Sequence, residues 1–171
     1  MSKIAFFLPS LAGGGAEKTA LVIGAGFLER GHQVDIVLAK AQGELMSSVP
    51  PEAKVLNLGA FRTLAALPGL TAYLRREKPE ALISFPDVAN AIAIWAKMLS
   101  SSQTKVLIGV HNHLSDVIKN SSKLQEKIYP ALLRIFYRHA AVVMAISNGV
   151  AEDVVTFVVL STKQAGYSPF A

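Results

Sequence analysis

Ile4-Ala5-Phe6-Phe7-Leu8-Pro9-Ser10-Leu11-Ala12-Gly13-Gly14-Gly15-Ala16-Glu17-Lys18 opens the chain and carries its strongest statement about the fold. The apolar run from Ile4 to Leu8, closed by Pro9, has the pattern of a strand buried on both faces. Ser10 to Gly15 is a glycine-rich turn. From Ala16 to about Arg30 the spacing becomes helical, with Leu21, Phe27 and Leu28 among the apolar positions and Gly31 placed to cap the end.

The alternation continues along the chain. Val34–Leu38 reads as a second strand, and Val55–Leu58 as a third after a loop containing Pro50 and Pro51. Leu64–Lys78 is helical in pattern, with Pro68 and Gly69 expected to break or restart it. Ala81–Phe85 is a fourth strand, followed by a helix from about Val88 to Leu99. Val106–Val110 is a fifth strand, Ser121–His139 a long helix and Val142–Ile146 a sixth strand. Strand alternating with helix predicts a doubly wound, mainly parallel, Rossmann-like α/β sheet with helices on both faces. No internal repeat or low-complexity linker interrupts it.

Composition narrows the function classes. The chain has 171 residues, enough for one domain and little more. Hydrophobic residues make up 51% and charged residues 17%, and the mean hydropathy is +0.39; disordered chains are poorer in apolar residues. The absence of cysteine excludes a disulfide framework, a thiolate zinc site and a cysteine nucleophile, and makes a cytoplasmic chain the natural reading. Met1 to Pro9 lacks the features of a signal peptide. Charged residues interrupt every apolar stretch before the roughly 18 residues of a membrane-spanning helix. Lys+Arg 17 against Asp+Glu 12 gives +5. With a pI near 9.6, an acidic partner such as phosphate, nucleic acid or an anionic membrane surface is permitted.

Ligands of such sheets bind outside the carboxyl ends of the strands, which directs attention to the turns after Leu8, Phe85, Val110 and Ile146. Gly13-Gly14-Gly15 joins a strand to a helix, where backbone N–H groups and the helix N-terminus favour an anion; a tight turn without a ligand explains the glycines equally well. The turn is not a P-loop, because Ala12 and Glu17 stand where its glycines would be. It is a poor dinucleotide fingerprint too, lacking the final Gly and an acidic residue after the second strand, where Ala39-Lys40 stands. Gly24 and Gly26 fall inside the helix pattern and read as a packing contact with the sheet.

His111-Asn112-His113-Leu114-Ser115 follows the fifth strand. Two histidines without a matching third ligand do not make a metal site, and none is expected. An imidazole there is placed to hydrogen-bond a substrate; a polar loop capping the next helix is the plainer alternative. Asp87, after Ile83-Ser84-Phe85-Pro86, reads as the N-cap of its helix, and Ser147 as that of the helix after the sixth strand.

Taken in order, these segments resemble a known family. Phe7 to Lys18 is similar to the opening of a GT-B glycosyltransferase of the family 4 type, where a strand runs into a Gly-Gly-Ala-Glu-Arg/Lys turn. Ile83-Ser84-Phe85 with Asn90, then Val110-His111-Asn112, then Ile146-Ser147-Asn148-Gly149-Val150, resemble its later landmarks in the same sequence order. The resemblance covers Lys3 to Val155. It implies a nucleotide-sugar-dependent transferase of hexosyltransferase type that retains the anomeric configuration, with the nucleotide-sugar as co-substrate and no separate cofactor. It also implies that this domain holds a glycan or lipid-linked acceptor. Carried over by position, Gly14 and Gly15 would lie near the donor diphosphate and His111 would face the transferred sugar as the catalytic candidate. Glu17, Lys18, Asn112 and Ser147 are the remaining donor- or acceptor-binding candidates; His113 has no clear counterpart.

The family's C-terminal domain, which supplies most of the nucleotide grip, has no equivalent in the segment 156–171. Residues 1–155 are therefore expected to be the N-terminal domain and 156–171 an atypical tail, from a truncation or frame shift. A separate polypeptide supplying the other half is the alternative, and the chain alone is expected to be inactive. Two other classes stay open: a non-catalytic acceptor- or membrane-binding subunit, and an atypical nucleotide-binding Rossmann enzyme.

Between Lys119 and Arg138, basic residues including Lys119, Lys123 and Lys127 accompany apolar residues at helical spacing. Such a helix either rests on anionic lipid, peripheral to the inner face of the membrane, or packs on the sheet with a solvated basic face. A nucleic-acid partner is not expected, since the charge is modest and no recognisable basic–aromatic module is present.

Overall fold

A computed structural model describes residues 1–110, 137–145, 149–150, 152 and 165–167, the last three and Asp87 as backbone only. In chain order the elements are β1 (Lys3–Leu8), α1 (Gly15–Glu29), β2 (Gln33–Leu38), β3 (Lys54–Asn57), α2 (Leu67–Glu77), β4 (Ala81–Ser84), α3 (Asp87–Ser100), β5 (Lys105–Val110), β6 (Val142–Ala145) and β7 (Ala165–Tyr167). Short 3-10 turns lie at Glu44–Ser48 and Thr63–Ala66.

The strands form one sheet in the order β3-β2-β1-β4-β5-β6-β7, and every neighbouring pair is parallel. The chain winds outward from β1 to β3, then returns past β1 to β4 and proceeds the other way. The order therefore reverses between β1 and β4, where Phe7 pairs with Ser84. Strand alternation divides the core by face. Ala5, Phe7, Val37, Leu82 and Ile108 point to α2 and α3, whereas Ile4, Phe6, Val34, Ile36 and Ile83 pack with Ala20 and Leu21 of α1.

The helix ends follow the local chemistry. Gly31, at φ +79°, closes α1: its N–H and that of His32 bond to the carbonyls of Leu28 and Phe27, a pairing that a left-handed residue permits. Gly24 is buried, and a Cβ there would stand 3.6 Å from both Phe6 and Val34, so it is a packing contact as expected. Gly26 instead faces Arg30, which donates to its carbonyl. Pro68 restarts rather than breaks: the 3-10 turn ends at Ala66 and α2 begins with the proline in its first turn, where the missing N–H costs nothing.

One expectation is corrected. Asp87 is the first residue of α3, and Pro86, after a cis Phe85–Pro86 bond, occupies the N-cap. Within the segment 156–171, where the sequence pattern marks no strand, Ala165–Tyr167 form β7 and pair with Val143–Ala145. The long helix expected over Ser121–His139 lies almost wholly outside the described residues.

Candidate functional site

Two walls rise at the carboxyl edge where the strand order reverses. The first is the turn after β1. Leu11, fully buried, anchors it, and Gly13 adopts φ +110°, open to glycine and strained for any other residue. Gly14 is the N-cap of α1 without any side-chain cap, and its carbonyl accepts from the Lys18 N–H at 3.1 Å. The Glu17 side chain folds back over this turn: a Cβ on Gly14 would overlap its carboxylate. At Gly15 the space is open. Lys18 is exposed.

The loop after β2 holds this turn in place. Lys40 N–H donates to the Pro9 carbonyl, Leu11 N–H to Gln42, and Leu45 N–H back to Leu11, all at 2.9–3.0 Å. Gly43, at φ +122°, lies so close that a Cβ would overlap the Leu11 carbonyl. Glu44 beside it brings Oε2 to 3.4 Å from where a Gly13 Cβ would be.

The second wall joins β4, α3 and β5. Asn90, fully buried in the second turn of α3, donates from Nδ2 to the Gly109 carbonyl at 2.9 Å. Gly109 has no room for a side chain because the Phe85 ring lies against it. Ser84 Oγ and Asn90 Oδ1 are both buried without a hydrogen-bond partner among the described residues, an arrangement that proteins seldom leave unused. Both belong to the α3 side of the sheet, immediately below the edge.

Of the residues singled out from the sequence, Gly14, Gly15, Glu17 and Lys18 therefore stand together on the first wall. His111, Asn112, Ser147, Lys119, Lys123 and Lys127 lie outside the described residues. Among the described residues no three His, Asp or Glu side chains gather as a metal would require. Gly43 and Gly109 were not recognised from sequence. The signal for Gly109 was available, since a lone glycine within an apolar strand marks a close approach; Gly43 sits in a polar loop where nothing distinguishes it.

The opposite, amino edge holds clefts of different character. One of about 830 Å³ is bordered by Lys3, Glu29, His32, Glu52 and Lys54, and one of about 330 Å³ by Pro79, Ser102 and Thr104. Glu77 closes this edge: its carboxylate takes Lys3 Nζ at 2.7 Å and Arg76 Nε at 3.1 Å, with Lys54 at 3.9 Å. These bonds, Lys3 first, hold its pKa down at about 2. The charges tie β1, β3 and α2 together at the end of the sheet away from the glycine turn.

An all-parallel doubly wound sheet with a glycine turn opening onto its switch point defines a Rossmann-like α/β domain of the kind found in GT-B glycosyltransferases. The chain belongs to Glycosyltransferase Family 4, whose model matches residues 13–163. Among solved structures it is similar to the lipopolysaccharide outer core galactosyltransferase WaaB in its apo form, at 18% identity and a TM-score of 0.67, covering 99% of this chain and 46% of that one. It is similar also to HepE of Anabaena in complex with UDP and glucose (16%, TM-score 0.67, 98% and 44%) and to MurG of Acinetobacter baumannii (15%, TM-score 0.65, 98% and 45%). At such identities the likeness is one of fold, and the chain spans less than half the length of these structures. The coverage is consistent with an N-terminal domain. No curated protein matches the chain.

Proposed function

We propose that this chain is the acceptor-side domain of a retaining, nucleotide-sugar-dependent glycosyltransferase of hexosyltransferase type, and that another domain or polypeptide supplies the donor-binding half. The observation that carries the reading is the Gly13–Gly15 turn, presenting the unfilled N-terminus of α1 at the switch point beside β4. Backbone N–H groups and the positive end of a helix suit a diphosphate there. Gly14 and Gly15 are assigned to the donor diphosphate, with Lys18 beside them and Glu17 able to swing away from the turn. His111 is proposed to act toward the transferred sugar, and Asn112 and Ser147 to contribute to donor or acceptor binding. Retaining transfer needs no obligatory protein base, so the scheme asks none of the described residues to act as one.

The solved relative with UDP and glucose supports a nucleotide-sugar partner. The acceptor is proposed to be a glycan or lipid-linked saccharide, the site to need no metal or further cofactor, and the place of action to be the cytoplasm. The chain by itself is expected to be inactive, with residues 1–155 as the functional domain.

Titration with UDP-sugars, GDP-sugars, ATP and NAD, followed by calorimetry and amide NMR, tests this. Calorimetry is expected to find affinity no better than about 1 mM, or roughly −4 kcal/mol. At millimolar concentration one nucleotide-sugar should still shift the Gly13, Gly14 and Gly15 amides while leaving Ser102 and Thr104 unmoved. Micromolar binding of ATP or NAD, or no response of the glycine amides to any nucleotide-sugar, would overturn the assignment.

A further inference from the structure

Asp35 is 3% exposed on β2, between the core residues Val34 and Ile36. A carboxylate so deep in a fold calls for a partner that answers its charge. The Tyr73 hydroxyl donates to Oδ2 at 2.8 Å, but a phenol is a neutral donor. The other oxygen, Oδ1, takes no hydrogen bond, and the carboxylate makes no ion pair among the described residues. Oδ1 is not sealed as Ser84 Oγ and Asn90 Oδ1 are. Asp35 borders the amino-edge cleft of about 830 Å³ and opens into it, a space of the size that holds a small organic molecule.

Two more carboxylates border the same cleft. Glu29 at the end of α1 and Glu52 ahead of β3 are exposed, and neither makes an ion pair among the described residues. The lysines of the cleft are drawn away from these acids. Lys3 Nζ is held by Glu77 at 2.7 Å, and Lys54 Nζ lies 3.9 Å from the same carboxylate. Met1, at 93% exposed, is almost wholly in water. Leu28, Val34 and Pro50 give the cleft an apolar wall.

The three acids do not gather closely enough to chelate one metal ion, since no such cluster exists among the described residues. Carboxylates spread along an apolar wall match a ligand whose cationic groups are spread along a hydrocarbon chain. Each ammonium takes a carboxylate, and the methylenes between them lie on the wall. We propose that the amino-edge cleft binds a linear aliphatic polyamine, with one ammonium on Asp35 Oδ1 and the others at Glu29 and Glu52. The proposal is independent of the transferase reading. Because α1 and β2 each run between this cleft and the loops of the candidate site, the two sites lie at opposite ends of the same elements and can be filled together.

Calorimetry and amide NMR of the full chain with spermidine and with putrescine test this. The controls are the neutral diol of putrescine's length and magnesium chloride at matched ionic strength. Both amines should shift the Gly31, Asp35 and Glu52 amides saturably, spermidine binding the tighter, while Gly13, Gly14 and Gly15 stay unmoved and the controls give no response. Asp35→Asn keeps an acceptor for Tyr73 and should weaken spermidine binding about tenfold or more, the loss of a charge-assisted hydrogen bond. Since Asp35 lies in the core, the double variant Glu29→Gln/Glu52→Gln gives a second measure. Both of its sites are exposed, so its thermal melt should match the parent's while spermidine again binds about tenfold more weakly. No saturable response to spermidine, an equal response to the diol, the same shifts with magnesium, or undiminished affinity in either variant that folds would each overturn the proposal.

Discussion

The hydroxyl of Tyr73 on α2 donates a 2.8 Å hydrogen bond to Oδ2 of Asp35 on β2, within the core and across 38 residues of sequence. Asp35 is 3% exposed and Tyr73 2%. Burial first, then the bond to Asp35, push the Tyr73 hydroxyl above its ordinary range. Tyr73→Phe would leave a buried carboxylate without its donor, and urea denaturation should show a loss of about 1–3 kcal/mol. A pH signature follows from the same bond. The folded pKa lies above the unfolded value of 10.0, so this stabilisation is complete below pH 10 and is lost as pH rises beyond it. Tyr73→Phe should remove that part of the alkaline loss; an unchanged alkaline profile would refute the assignment.

Glu77 gives the opposite slope. Its pKa falls from 4.5 to about 2 in the folded chain, so its contribution is full above pH 4.5 and declines as pH drops from there toward 2. Glu77→Gln should flatten the stability profile across that window, and added salt should weaken the effect in the parent chain because the ion pairs are partly solvated. A profile in the variant parallel to the parent's would show that Lys3 and Arg76 do not hold this carboxylate.

Glycines of the site loops should divide sharply on substitution. Gly43→Ala puts a Cβ into the Leu11 carbonyl at a positive φ and is expected to cost about 1–3 kcal/mol. Gly15→Ala enters open space in the first turn of α1 and should be neutral or stabilise by up to about 1 kcal/mol. Thermal melts distinguish the two. Equal effects would mean that the turn after β1 is not braced by the loop after β2.

At the second wall, Gly109→Ala must displace the Phe85 ring, at about 1–3 kcal/mol for overpacking a filled site. Asn90→Leu removes the bond to the Gly109 carbonyl and strands that acceptor, a comparable loss. Because the two residues meet, the double variant should fall short of the sum of the single effects. Strict additivity, measured by chemical denaturation, would count against a shared structural role.

Much of the fold was legible because the information is local. An apolar run of strand length, a glycine turn and a 3.6-residue period each report which faces of a segment avoid water, and they do so wherever the segment lies. That sufficed for β1 to β6, α1 and α3 to within a residue or two, for the Schellman close at Gly31 and for the buried Gly24. Asp87 was misplaced as a cap because the choice between adjacent residues depends on backbone angles at Pro86. β7 was missed because Ala165-Gly166-Tyr167 has neither the length nor the apolar density of a buried strand; its pairing with β6 is what makes it one.

The sequence by itself determined that this chain builds a parallel α/β sheet, that a glycine turn follows its first strand, and that landmarks of a glycosyltransferase family stand in order along it. Only the tertiary structure decided where the strand order reverses, and hence that the β1 turn and the Ser84–Asn90 wall stand at the same edge of neighbouring strands. It alone brought Gly43 against Leu11, Asn90 to Gly109 and Tyr73 to Asp35. Hydrophobic period records that a residue is buried. What it is buried against follows from which strands become neighbours, and that is settled by the packing of distant segments together.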